Sequence, residues 1–356
     1  MSALSQQNNK RIAKNTLLLY FRMLFSMGIG LFTSRIVLES LGIEDYGIYN
    51  LVGGIVTIFA FLNSAMIATS QRFISYELGK GNLHKLKDVF CTTLTIHIAI
   101  AFIIVVLSEV IGVWFLNTKL NIPSDRMMAA NWTLQLSIFV FAVNVISVPY
   151  NASIVAHEKM SAFAYISIFE VSLKLAIAYL LLFISYDKLI VYSILVFCVA
   201  LLLRSLYCFY CKRHFEECHY TFSFNIEQFR EMFAFAGWSL VGNLGFSFKD
   251  QLSNILLNLF FGTVVNAARG ISVQVGSLIN SFSANFMMAM NPQITKSYAV
   301  GDLYRSKELV YAGCRFSFYL LAVISLPIMI NITYILNLWL VEVPQYTEIG
   351  RASCRE

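Results

Sequence analysis

The residues best suited to chemistry in this chain are charges set inside long apolar runs. The stretch FEVSLKLAI, residues 169–177, places Glu170 and Lys174 four positions apart, the order and spacing that favour an ion pair along one helix face. A charge at the centre of a membrane helix costs about 2.5–3.5 kcal/mol on insertion scales, so it persists where a partner or a wet cavity offsets that cost. Basic residues so placed are Arg22, Arg35, Lys174, Arg204, Lys249, Arg269 and Arg315, whereas the acids are only Glu109, Glu170 and Asp250. Arg204 and Arg315 lie near segment ends where a long side chain can snorkel, and Arg35, Glu109 and Arg269 lie near the opposite ends. Arg22, Glu170, Lys174, Lys249 and Asp250 are deeper and require an interior. With cations in excess, that interior attracts anions, which Arg binds as a fork and Lys as a point charge. The candidate binding residues are therefore Arg22, Arg35, Lys174, Lys249 and Arg269. Glu170 and Asp250 would tune that charge or carry a coupling ion; the residues do not choose between H+ and Na+.

Polar residues at helical spacing extend these sites into stripes. Ser239, Asn243, Ser247, Asp250, Asn254 and Asn258 fall on one face of a helix, and so do Asn266, Arg269, Gly276, Asn280 and Ser283. Asn15, Arg22, Ser26 and Thr33 make a third stripe. Ser26, Asn243, Ser247, Asn254 and Asn280 are the candidate cavity-lining residues. Two explanations stay open at this stage: stripes that line a cavity, or stripes that bind helices together by interhelical hydrogen bonds. The same choice applies to Glu170–Lys174, which as a self-neutralising pair needs no further partner.

The elements that must position these residues are membrane spans. The chain is 58% apolar and 13% charged, a composition foreign to soluble domains. Nine apolar runs are each long enough to cross hydrocarbon as a helix: about 15–37, 47–70, 90–115, 131–155, 162–185, 189–210, 236–260, 264–290 and 309–337. Strands of a membrane barrel would be half as long and would alternate in hydrophobicity. Fourteen basic residues precede the first span or follow even-numbered spans, whereas the opposite loops hold Lys119, Arg126 and Lys188. That asymmetry puts the N-terminus in the cytoplasm and accounts for the net charge of +6 without nucleic acid. Six cysteines lie in spans or on the cytoplasmic side, where thiols stay reduced, and imply no disulfide framework. CFYCKRHFEECH, residues 208–219, matches no standard zinc spacing, so no metal site is expected.

A shift of 220 positions aligns the chain with itself. GNLHKLKD, residues 81–88, falls on GDLYRSKE, residues 301–308, and Gly42 falls on Gly262, each at a turn between spans. A six-span unit returns the chain to its starting side, so the copies are parallel repeats about an axis along the membrane normal. The expected organisation is a cytoplasmic N-terminus over 1–14, a first six-helix bundle over 15–211, a cytoplasmic loop with an interfacial helix over 212–235, and an incomplete second bundle over 236–347. In the interfacial helix Ile226, Phe229 and Phe233 share one face. Residues 348–356 resemble the translation of a sequencing adapter and are expected to be a non-native tail.

SRIVLESLGIEDYGIYNLVGGIV, residues 34–56, with SQRFISYELGKGNLHKLKDVF, residues 70–90, resembles the Wzx-type O-antigen and polysaccharide flippases of the MATE-like (MOP) exporter superfamily. ILNLWLVEVPQYT, residues 335–347, is similar to the loop after the ninth span in those proteins. The resemblance implies an all-α polytopic membrane protein of two bundles, in the bacterial inner membrane. It also implies alternating access that moves undecaprenyl-pyrophosphate-linked oligosaccharide outward, with polymerase and chain-length machinery as partners of a monomeric transporter. No catalytic residue and no cofactor are expected. A multidrug exporter or a lipid II flippase of the same superfamily is the main alternative; a membrane polymerase fits less well, because the outer loops are short and contain no His.

Overall fold

The computed structural model describes residues 3–57, 60–120, 122–220, 226–332 and 334–335. Among them there are nine α-helices and no strand. Helix α1 (Ala3–Thr57) is broken at Gly42, whose φ of 80° and ψ of 169° lie outside the helical region. An unbroken helix of 55 residues would reach about 80 Å, far beyond one bilayer crossing, and only glycine enters that backbone region without strain. The break therefore sits where the chain must turn between its first two expected spans.

Helix α2 (Ala60–Lys80) stops at Gly81, which has a φ of 72° and donates its N–H to the Glu77 carbonyl at 3.1 Å. Asn82 then caps α3 (Leu83–Leu107) by accepting the Lys85 N–H. The same punctuation recurs 220 positions later. Gly301 has a φ of 82°, and Asp302 caps α9 (Leu303–Ile330) by accepting the Arg305 N–H at 2.9 Å. A left-handed glycine followed by an Asx cap is what the repeated G-N/D-L motif encodes: the glycine closes one helix and the side-chain oxygen opens the next.

After α3 come a π-helical turn, Ser108–Gly112, and α4 (Val113–Lys119). Helices α5 (Met127–Ala156), α6 (Met160–Leu180) and α7 (Lys188–His214) follow. Asp187 caps α7 by accepting the N–H groups of Leu189 and Ile190, and Lys212, Arg213 and His214 occupy its last turn, where cations meet the negative end of the helix dipole. Helix α8 (Ile226–Ala299) takes in the expected interfacial segment and the seventh and eighth expected spans. Gly262, where the turn between those spans is expected, falls inside α8.

Six segments among the described residues are long and apolar enough to cross a membrane: Asn9–Val56, Leu83–Lys119, Met127–Ala156, Met160–Phe183, Lys188–His214 and Leu303–Ile330. The chain is a multi-pass membrane protein. Large apolar side chains such as Leu31, Phe32, Phe102 and Tyr165 are exposed, as a hydrocarbon solvent allows. Lipid tails are as apolar as leucine, so association of these helices depends on packing and polar contacts rather than on escape from water.

The chain divides into two compact units, Met1–Leu240 and Val241–Glu356. In the first unit one core cluster joins Val37, Val52, Leu116, Leu134, Ile138, Leu181 and Leu189, and a second joins Ile74, Leu86, Phe90, Tyr150, Ile154 and Cys211. Two polar ties hold its ends. At one end, Arg126 donates from Nε to Asp45 Oδ1 at 2.8 Å, from Nη2 to Asp45 Oδ2, and from Nη1 to Asp187 Oδ2 at 2.9 Å. The hydrogen bond that Arg126 donates to Asp45 is the main influence raising the Arg126 pKa further above its ordinary value. One guanidinium thus fastens the turn after Gly42, the start of α5 and the cap of α7. At the other end, Arg11 Nε meets Glu158 Oε2 at 3.1 Å while its Nη2 donates to the His157 carbonyl at 3.0 Å. Asn15 donates to the Glu158 carbonyl, and His157 pairs with Glu217 at 2.5 Å while stacking on Phe215. These contacts hold Glu158 at a φ of 59°, an uncommon value for a non-glycine residue. In the second unit Gly313 of α9 packs against Met287 and Met290 of α8, and Ser306 donates to the Ile294 carbonyl.

Candidate functional site

Within the first unit α1, α6 and α7 pack on one another, and their contact surface holds a polar cluster. Phe163, Ser167, Glu170 and Lys174 succeed one another at intervals of four, three and four on α6, so they form a single stripe. Lys174 Nζ donates to Glu170 Oε1 at 2.6 Å. From α1, Arg22 lays its guanidinium over the Phe163 ring at 4.8 Å from the centroid, and it lies within electrostatic reach of Glu170 and Tyr207. From α7, Tyr207 brings its hydroxyl near Ser167. The stripe on α6 therefore faces protein on two sides. Arg22, Glu170, Lys174 and Ser167 are all half-buried, and Ser26 lies one turn beyond Arg22 on the same helix, also half-buried.

Charge bookkeeping in the cluster is simple. Arg22 and Lys174 contribute two positive charges and Glu170 one negative, so the set carries a net +1 at neutral pH. Hydroxyl groups from Ser167 and Tyr207 add donors and acceptors. Such a set binds an anion by direct charge and can exchange hydrogen bonds with sugar hydroxyls.

The other predicted residues are distributed differently. Arg35 is exposed and does not join the cluster. In the second unit Asn243 and Arg269 are half-buried, while Lys249 and Asn280 are exposed. Ser247, Asp250 and Asn254 belong to α8, and their side chains lie outside the described part of the structure. Sequence reasoning passed over Phe163 and Tyr207. Phe163 was discoverable as the next member of the Ser167–Glu170–Lys174 stripe; Tyr207 had no local signal, because its role depends on α6 packing beside α7.

Residues 12–298 match the model for the polysaccharide biosynthesis protein family. The chain belongs to that family. It is 19% identical over 285 residues to the uncharacterized membrane protein EpsK of Bacillus subtilis (strain 168), a match taking in 79% of this chain and 55% of EpsK. The chain thus spans about half the length of the curated relative it matches. Among solved structures, this member of the polysaccharide biosynthesis family resembles an outward-facing multidrug resistance MATE transporter of the MOP superfamily, with a TM-score of 0.80 at 12% identity over 97% of this chain and 76% of the other. Vibrio cholerae MATE transporter VcmN in its bent form gives 0.79 at 15% identity, covering 98% and 79%. A MOP superfamily transporter from Pyrococcus furiosus, described as having a binding pocket of reverse polarity that suggests a different function, gives 0.76 at 13% identity, covering 97% and 76%. The fold is that of the MATE-like transporters, and the chain is a MATE-like member of a polysaccharide biosynthesis family.

Proposed function

We propose that the full-length protein flips undecaprenyl-pyrophosphate-linked oligosaccharide repeat units from the cytoplasmic to the periplasmic leaflet of the bacterial inner membrane. Alternating access carries the cargo through a cationic cavity, and no catalytic step is involved. The observation that carries this reading is the net-positive cluster of Arg22, Lys174 and Glu170 with Ser167 and Tyr207, built where three membrane helices meet. A pyrophosphate needs positive charge inside the membrane, and its sugars need hydroxyl partners; this cluster offers both. An exporter of organic cations would be expected to present carboxylates in excess. A similar line of reasoning is attached to the Pyrococcus furiosus transporter, whose function is suggested to differ because its pocket polarity is reversed.

Lys249, Asp250 and Arg269 are proposed as the second bundle's contribution, with Asp250 holding a neighbouring cation. Asn243, Ser247, Asn254 and Asn280 would line the path. Arg35, exposed, would act near the outer end. The N-terminus is proposed to be cytoplasmic on the strength of the charge asymmetry. The transporter is proposed to work as a monomer beside a polymerase and chain-length machinery, coupled to H+ or Na+ through Glu170 or Asp250.

The test is complementation of a flippase-deficient strain by the full-length protein with Arg22, Lys174 or Lys249 neutralised. Surface polysaccharide should disappear while membrane expression is kept. Normal polysaccharide in all three variants would overturn the cationic-cavity reading. Export of cationic dyes with no flipping of lipid-linked sugar would replace it with drug transport.

A further inference from the structure

The first unit contains an apolar cavity of about 320 Å³, separate from the polar cluster. Its walls come from α2, from α3, and from the opening turns of α8. On α3 the lining residues include Ala99, Ile100 and Ile103, near the middle of the Leu83–Lys119 span. On α8 the spacing of Phe229, Met232, Phe233, Ala236 and Leu240 sets one helical face against the cavity. The segment read from sequence as an interfacial helix therefore presses part of its apolar face onto protein: Met232 and Ala236 are buried against Met66 and Ile96, whereas Ile226 is exposed.

Small residues make the void. Ala65, Ala99 and Gly237 stand where larger side chains would fill the space, and a Cβ on Gly237 would meet nothing within 4 Å. Water has no hydrogen-bond partner on such walls, and a dry void forfeits dispersion contacts on every side. Hydrocarbon suits it. A water's share of liquid volume is about 30 Å³, so the cavity holds roughly ten groups of that size, a stretch of lipid tail rather than a whole lipid. Ile103 and Phe233 at the rim are exposed and leave it open.

The charge at one end defines the headgroup. Arg72 lies six residues from Met66 on α2, about 9 Å along the helix toward the side that the basic loops mark as cytoplasmic. Its guanidinium is exposed and lies over the Phe235 ring, 4.1 Å from the centroid. Phe235 precedes Ala236, and Phe73, the neighbour of Arg72, packs on the same Met66–Met232 cluster. A cation fixed beside an apolar slot on the cytoplasmic side matches an anionic lipid of the inner leaflet.

We propose that this cavity is a phospholipid site: one acyl chain of an anionic glycerophospholipid occupies the slot, and Arg72 binds its phosphate. The site is independent of the transported cargo.

The test uses full-length protein in nanodiscs of phosphatidylcholine containing a small fraction of phosphatidylglycerol with a photoactivatable acyl chain. Labelled peptides should map to residues 96–103 and 229–240. Arg72→Gln should lower that labelling about fivefold, the loss expected when one basic residue near an anionic surface is removed, while Arg72→Lys keeps most of it. Ala99→Phe should block the slot and move the label elsewhere; Arg72→Gln, on an exposed side chain, serves if Ala99→Phe does not fold. Equal labelling by phosphatidylcholine carrying the same chain, unaffected by Arg72→Gln, would overturn the site as one for anionic lipid. Displacement by polyprenyl phosphate but not by unlabelled phosphatidylglycerol would overturn phospholipid as the occupant and give the slot to the lipid carrier.

Discussion

Neutralising Arg22 tests the proposed binding cluster most directly. The cluster sums to +1, so Arg22→Gln brings it to zero, Glu170→Gln brings it to +2, and the double variant returns it to +1 through Lys174. A unit charge about 6 Å from a bound phosphate contributes roughly 3 kcal/mol at an effective dielectric constant of 20. Water in a half-buried cavity reduces this to about half, so Arg22→Gln should weaken apparent affinity for a pyrophosphate-linked oligosaccharide about 10- to 100-fold. Glu170→Gln should tighten binding by a similar factor and slow turnover, because release then becomes harder. The double variant should recover much of the parent affinity. The assay is flipping of a fluorescent lipid-linked oligosaccharide in proteoliposomes of the full-length protein, titrated with substrate, with thermal unfolding of each variant as a folding control. Parent-like affinity in Arg22→Gln, or a double variant no better than Arg22→Gln alone, would refute the reasoning: charge balance would then not govern binding at this junction.

Other outcomes follow from the ties and turns. Arg126→Met leaves Asp45 and Asp187 without their shared cation and should cost about 2 kcal/mol of stability, seen as a lower unfolding temperature in detergent. Asp187→Asn should cost less, since asparagine still caps α7. Gly81→Ala and Gly301→Ala force a side chain into left-handed backbone and should each cost about 1 kcal/mol, with matching losses at the two positions because the local geometry repeats. Arg11→Ala should lower stability through loss of the Glu158 pairing, with its effect diminished when combined with Glu158→Ala in a double-mutant cycle.

The legible features were those encoded within a few residues. The Glu170–Lys174 contact follows from helical spacing, the break at Gly42 from a glycine between two apolar runs, and the repeated glycine and Asx cap from a motif visible twice in the chain. Long-range pairings were not legible. Arg126 drew notice only as one of three basic residues in the outer loops, yet its partners lie 81 and 61 positions away. No local pattern marks such a hub, because it depends on which helix ends meet. Tyr207 is a similar case. The segment 226–235 was legible as amphipathic, but spacing alone does not say whether an apolar face meets lipid or α2 and α3, since both are apolar surroundings.

The π-helical turn at Ser108–Gly112 bears on how this chain tolerates length changes. A π turn accommodates one residue more than the α-helix around it, and here Gly112 fits closely against Ile55 and Leu134 while Glu109 accepts from Gln135 at 2.8 Å. Losing one residue within 108–112 would convert the turn to ordinary helix and leave Leu116 on its buried face. The same deletion earlier in α3 would rotate everything after it by about 100° and carry Leu116 out of the core. Third-span homologues one residue shorter should therefore carry their gap at this turn.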